Sequence, residues 1–184
     1  MANLKTKEKN SPRNYYNIKK KLTIASTVLL AFVIIAATVP SITLAASPHF
    51  IGTPTISKFI SGNTATLTTS GKVAGLGSAP TQVFLTTSGV IATTVCTNGG
   101  GNNPPGQTAV FGPTQGQIAT IQPRNGQITF INAAPLSIAI SAAQAGCPDS
   151  MRPVITSATF TNVVLHIVQN GQEVLTYNFG NVDP

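Results

Sequence analysis

The chain has 184 residues and a formal net charge of +7, but that charge sits at one end. Seven of the eleven Lys and Arg residues fall within the first 21 positions, while residues 47–184 carry four cations against three acids. Without clustered Lys and Arg outside the start of the chain, the composition argues against a nucleic-acid partner.

The basic start (Lys5, Lys7, Lys9, Arg13, Lys19, Lys20, Lys21) is followed by LTIASTVLLAFVIIAATV, residues 22–39, with no charge in it, and then by the small-residue stretch SITLAAS. That order is the pattern of a secretory signal, with cleavage expected after Ala45 or Ala46. The competing expectation is an uncleaved N-terminal membrane anchor. In that case 22–39 is the only membrane contact, and the flanking lysines hold the N-terminus in the cytoplasm. Either way the rest of the chain is expected outside the cytoplasm, secreted or on the extracellular face of the membrane. The expected organisation is 1–46 signal or anchor, with an N-terminal hydrophobic helix, 47–53 linker, and 54–184 a single domain.

Both cysteines, Cys96 and Cys147, lie in the exported part. In an oxidising compartment an even pair predicts a disulfide.

From TISKFI (55–60) onward, apolar and polar residues alternate almost without interruption. TATLTTS (64–70), TQVFLTT (81–87) and VIATTVCT (90–97) come first. QIATIQ (117–122), QITFI (127–131) and LSIAIS (136–141) follow, then ITSATFTNV (155–163), VLHIVQ (164–169) and EVLTYNF (173–179). Short Thr-, Val-, Ile- and Phe-rich runs separated by Gly, Pro and Asn predict an all-β domain. About seven to nine such runs predict an Ig-like β-sandwich, with a small β-barrel as the alternative. Asn170-Gly171 is a strong hairpin signal, and Asn125-Gly126, between QIATIQP and QITFI, reads similarly. SAAQAG (141–146) is the one place with room for a helical turn.

GNNPPGQT (101–108) approximates a phosphate-binding loop, with Gln107 where the lysine belongs. Pro104 and Pro105 have no N–H to offer a phosphate, and Gly112 and Pro113 break any helix behind the loop. No nucleotide partner is expected. The stretch is better explained as a long excursion whose Gly and Asn residues supply positive φ and whose prolines supply stiff corners.

Four elements occur in order: GKVAGLG (71–77), CTNGGGNNPPGQ (96–107), a second cysteine followed by Pro148, and SATFTNVVL (157–165). This combination resembles a family of small exported β proteins with a Cys- and Gly-rich loop, found in actinobacteria and soil archaea. The resemblance implies export, a disulfide and a β fold. It implies no reaction.

The chemistry-bearing residues of the exported part are His49, His166, Asp149, Glu173 and Asp183. No two acids pair in sequence, so no catalytic residue is assigned and the protein is expected not to be an enzyme. His166 shares its strand face with Val164 and Val168, and Glu173 lies just past the Asn170-Gly171 turn. No metal or cofactor is expected, since zinc wants four N or S ligands and calcium several carboxylates. The exported part holds no Trp and one Tyr, Tyr177, and most of its seven Phe alternate with polar neighbours as core residues do. The expected function is therefore contact with an unknown protein or envelope partner. A subunit joined to its own copies by strand exchange through TISKFI and EVLTYNF is one alternative, and a sugar-binding module or extracellular hydrolase is another.

Overall fold

The computed structural model describes residues 47–183. The basic start, residues 22–39 and the cleavage positions at Ala45 and Ala46 lie outside the described residues. Eleven strands follow one another: β1 (His49–Phe50), β2 (Thr55–Ser61), β3 (Thr64–Ala74), β4 (Thr81–Thr87), β5 (Gly89–Thr97), β6 (Ala109–Phe111), β7 (Thr114–Gln115), β8 (Ala119–Ile121), β9 (Ile128–Ala139), β10 (Arg152–Gln169) and β11 (Gln172–Val182). All pairings are antiparallel.

Several of these strands are one line of chain with a break in it. β4 and β5 run together along β10, Thr86 facing Val164 and Gly89 facing Thr161, with only Ser88 interrupting them. β6, β7 and β8 lie in turn along the other side of β5 and β4. β1 and β2 both run along β3. The result is two sheets. Sheet A is β1/β2–β3–β9, and sheet B is β6/β7/β8–β4/β5–β10–β11. In the constant-type Ig arrangement the fourth strand sits beside the fifth; here it pairs with the third, so the larger sheet has four lines of chain and the smaller three.

Alternation places one side of every long strand in the shared core. In β3 the inward residues are Ala65, Leu67, Thr69 and Val73; in β10 they include Ala158, Phe160, Val163, Leu165 and Ile167, all of these buried. Burying one such aliphatic side chain contributes roughly 1.5–3 kcal/mol. The face shifts from Phe160 to Val163 because Asn162, at φ 50°, occupies a bulge. β9 bends similarly between Asn132 and Ala134, both at positive φ, and its register against β3 shifts there.

Single backbone hydrogen bonds, and no ladder, join the two sheets. Between β7 and β8 the amide of Gln117 leaves sheet B and donates to Pro135 O of β9 at 2.8 Å. On the opposite side Ile155 N of β10 donates to Gly62 O of the β2–β3 turn at 2.8 Å, but β2 and β11 end their sheets without a ladder partner among the described residues. With no ladder closing this open side, the arrangement is a sandwich and not the alternative barrel.

Residues 47–53, expected as linker, contain β1. Phe50 pairs with Val73 and sets its ring edge-on to Tyr177, centroids 5.7 Å apart. Asn170-Gly171 forms the tight hairpin between β10 and β11, with φ of 54° and 73°. Asn125-Gly126 also closes a tight turn, with Arg124 N donating to Gln127 O and Gln127 N to Arg124 O. Its flanking strands are not hairpin partners: β8 pairs with β4 in sheet B and β9 with β3 in sheet A. The turn carries the chain from one sheet to the other, which local sequence cannot signal. SAAQAG makes its single turn, Ala145 N to Ser141 O, started by a reciprocal cap in which Ser141 N donates to Gln144 Oε1 and Gln144 N to Ser141 Oγ.

That turn delivers Cys147 to Cys96, near the end of β5, with Cα atoms 5.5 Å apart and 51 positions separating them. On the chain-entropy account, closing a loop of this size contributes about 4 kcal/mol. Replacing Cys147 and Cys96 together by serine should lower the unfolding free energy by about that amount in a chemical denaturation. A loss under about 1 kcal/mol would mean that the surrounding loop contacts, and not the bond, hold this end.

Candidate functional site

The Gly-rich excursion after Cys96 doubles back along β5. Cys96 N donates to Pro104 O, Gly106 N to Thr94 O, and Gln107 N to Ala145 O beside the second cysteine. Asn98 Oδ1 accepts from Gly100 N and Asn102 N at the tip. Gly106 lies so close to β5 that a Cβ there would meet Thr94 Oγ1 at 2.3 Å. The amides of Gly106 and Gln107, which a phosphate loop would present to its ligand, are thus spent inside the protein.

The titratable groups scatter, with one exception. His49 lies in β1 with Nδ1 3.0 Å from Ser47 O, and Asp149 sits in the loop after Cys147. Asp183 directly follows β11, and its charge acts on Lys58 on the open side. No cluster of three or more His, Cys, Asp or Glu residues occurs among the described residues. Cys96 and Cys147 are the two predicted site residues that the fold brings together.

The exception is His166, on the solvent side of sheet B between Val164 and Val168, as the alternation predicts. Its ring stacks on Phe84 of β4, centroids 4.9 Å apart and planes 11° from parallel. Nδ1 is 2.5 Å from Glu173 Oε2 of β11, and Nε2 is 2.8 Å from Thr86 Oγ1 of β4. A carboxylate only accepts, so Nδ1 carries the proton, and in the neutral ring Nε2 accepts from the Thr86 hydroxyl. Glu173 reaches His166 because the ladder shifts by one residue between Ile167 and Val168, bringing Glu173 opposite Val168 on the histidine's face.

Hydroxyl, imidazole and carboxylate in this order form the relay of acyl-transfer enzymes. The surroundings supply little of the rest. The backbone of β10 at this point is paired with β4 on one side and β11 on the other, so its amides are committed to ladders and not aimed at an oxyanion. The Glu173 side chain is 51% exposed. The arrangement therefore best serves as a cross-strand pin that locks three strands in register.

Two phenylalanines depart from the core expectation. Phe130 and Phe160 are buried, and Phe50, Phe111 and Phe179 pack against the core. Phe84 instead lies on the outer face of sheet B, and Phe59 is 68% exposed on the outer face of sheet A. In β2 the inward positions go to Ile56 and Ile60, and parity then turns Lys58 inward and Phe59 out. Phe59 faces Thr66, whose hydroxyl bonds Ser137 Oγ at 2.8 Å; Ser57 with Thr68 forms the row on one side and Ser61 with Thr64 the row on the other. Lys58 donates to Ala158 O across the open side, and burial pulls its pKa down, opposed by the charge of Asp183.

No known protein family and no curated protein matches the chain.

Replacing His166 with alanine removes a stacked ring and two hydrogen bonds and should cost about 1–2 kcal/mol. Glu173→Gln, at an exposed position, should cost less than about 1 kcal/mol. Labelling of Thr86 by a hydroxyl-reactive phosphonate, present in the native protein and absent in His166→Ala, would instead mark the relay as chemistry.

Proposed function

We propose that residues 47–184 act as an exported, non-catalytic module at the cell surface or in the medium, working through surface contact with an envelope component. The observation that carries this reading is the outer face of sheet A, where an exposed Phe59 ring stands among rows of Thr and Ser hydroxyls. An aromatic side chain ringed by hydrogen-bonding groups suits a neutral, polar partner. Along this face Lys72 is the only charge on β2, β3 and β9 apart from the inward Lys58. The disulfide is compatible with life outside the cytoplasm, in keeping with the basic and apolar start of the chain. Secreted and tethered forms serve the same role.

Mixed with the envelope fraction of the producing cells, the exported protein should co-sediment, and Phe59→Ser should weaken that association about tenfold, the effect of one central anchor residue. Unchanged sedimentation by Phe59→Ser would place the contact elsewhere. Competition by soluble oligosaccharides would identify the partner as a sugar polymer.

A second reading, assembly of copies by strand exchange, is favoured by the open side, where β2 and β11 both end their sheets. Lys58 blunts β2, since a charge pointing inward on an edge strand discourages pairing, and leaves β11 as the accepting edge. On an unheated gel this reading expects a ladder that collapses on heating, strengthened in Lys58→Ile. A single band for both proteins would count against it.

A further inference from the structure

A shallow cavity of about 350 Å³ opens at one end of the sandwich, where the chain crosses from sheet B to sheet A. Its wall holds Lys72 of β3 and Arg124 of the Asn125-Gly126 turn, together with Gln127, Thr129, Ile121 and Ile128. Two of the four cations of residues 47–184 thus line one hollow. None of the three acids of that region lines it, and the one carboxylate ion pair among the described residues is Glu173 with His166.

The cations are held by backbone that has little freedom. Arg124 and Gln127 exchange both backbone hydrogen bonds across the turn, and Gly126 O accepts from Leu76 N at 3.0 Å. Lys72 is fixed opposite Thr129 in the β3–β9 ladder, and its own carbonyl accepts from Ile51 N. Gln122, also on the wall, is tied through Nε2 to Ser78 O. A guanidinium fork, an ammonium, an amide and a hydroxyl around one hollow form a donor set for a tetrahedral oxyanion. The volume is ample for it, since about 10–15 Å³ of such space holds one water molecule.

We propose that this cavity binds a phosphate group, either free or carried as an ester on an extracellular molecule. The inference goes beyond the contact face around Phe59 and does not depend on it.

Titration of the isotopically labelled protein with inorganic phosphate at low ionic strength should give saturable shifts at the amides of Gln127 and Thr129. Lys72→Gln and Arg124→Gln should each weaken binding about tenfold, the loss expected for one charge-assisted hydrogen bond, while Arg152→Gln, a cation elsewhere, should leave it unchanged. Glycerol phosphate distinguishes the sources: binding as tight as the free ion or tighter assigns the site to an ester, and binding of the free ion alone assigns it to phosphate itself. Shifts no larger than those from sodium chloride of equal ionic strength would overturn the proposal. So would phosphate binding that persists in a folded Lys72→Gln, Arg124→Gln double variant, folding being judged from its amide spectrum.

Discussion

The antiparallel run of residues 81–97 along 152–169 is the contact on which the rest of the structure depends. It carries the sheet-B half of the core, and it extends from Thr81 opposite Gln169 to Thr97 opposite Arg152. Such a pairing is non-local, and its cost is the entropy of closing the intervening chain. The structure answers at both ends of the run. At one end the disulfide and the returning Gly-rich loop draw Cys96 and Cys147 together ahead of Arg152. At the other, the buried Gln169 side chain donates to Gly77 O and Ala79 O and accepts from Gly77 N, clamping the chain where it leaves sheet A. The Thr86–His166–Glu173 pin sits between these clamps.

A surface with so few charges leaves hydroxyls, amides and isolated apolar side chains to define its contacts. Phe59 and Ile131 stand out from sheet A, while Ile91 and Val110 face each other across the β5–β6 ladder on sheet B. Charge is rationed to particular places: Lys58 on the open side, Lys72 and Arg124 at one end, Arg152 beside the disulfide. Weak self-repulsion lets such a protein lie close to neighbours.

The strands were legible from alternation because half-buried strands impose a period of two. β4 is TQVFLTT itself, and the Asn170-Gly171 hairpin follows from two residues that accept positive φ. Bulges were not legible. QITFI and LSIAIS, two separate runs in the sequence, fall largely in one strand, β9, since Asn132 and Ala134 absorb the bend between them. Ala134 at φ 53° has no sequence signal at all, being neither Gly nor Asn. β6 and β7 were missed because two- and three-residue pairings carry too little pattern to detect. For the candidate site, the hairpin turn hinted that Glu173 lies near His166. Thr86 lies 80 positions from His166, and only the sheet order brings it there.

The disulfide has a mechanical meaning as well. The covalent ring it closes spans 51 positions, about 180 Å of fully extended chain. Tension applied between the two ends of the domain bypasses that ring. β6 to β9 lie wholly inside it, so they cannot be drawn out while the bond is intact, and only the strands before Cys96 and after Cys147 can lengthen. A protein held at one end and loaded at the other would therefore stop short of full extension, with about a third of its residues kept out of the stretched line.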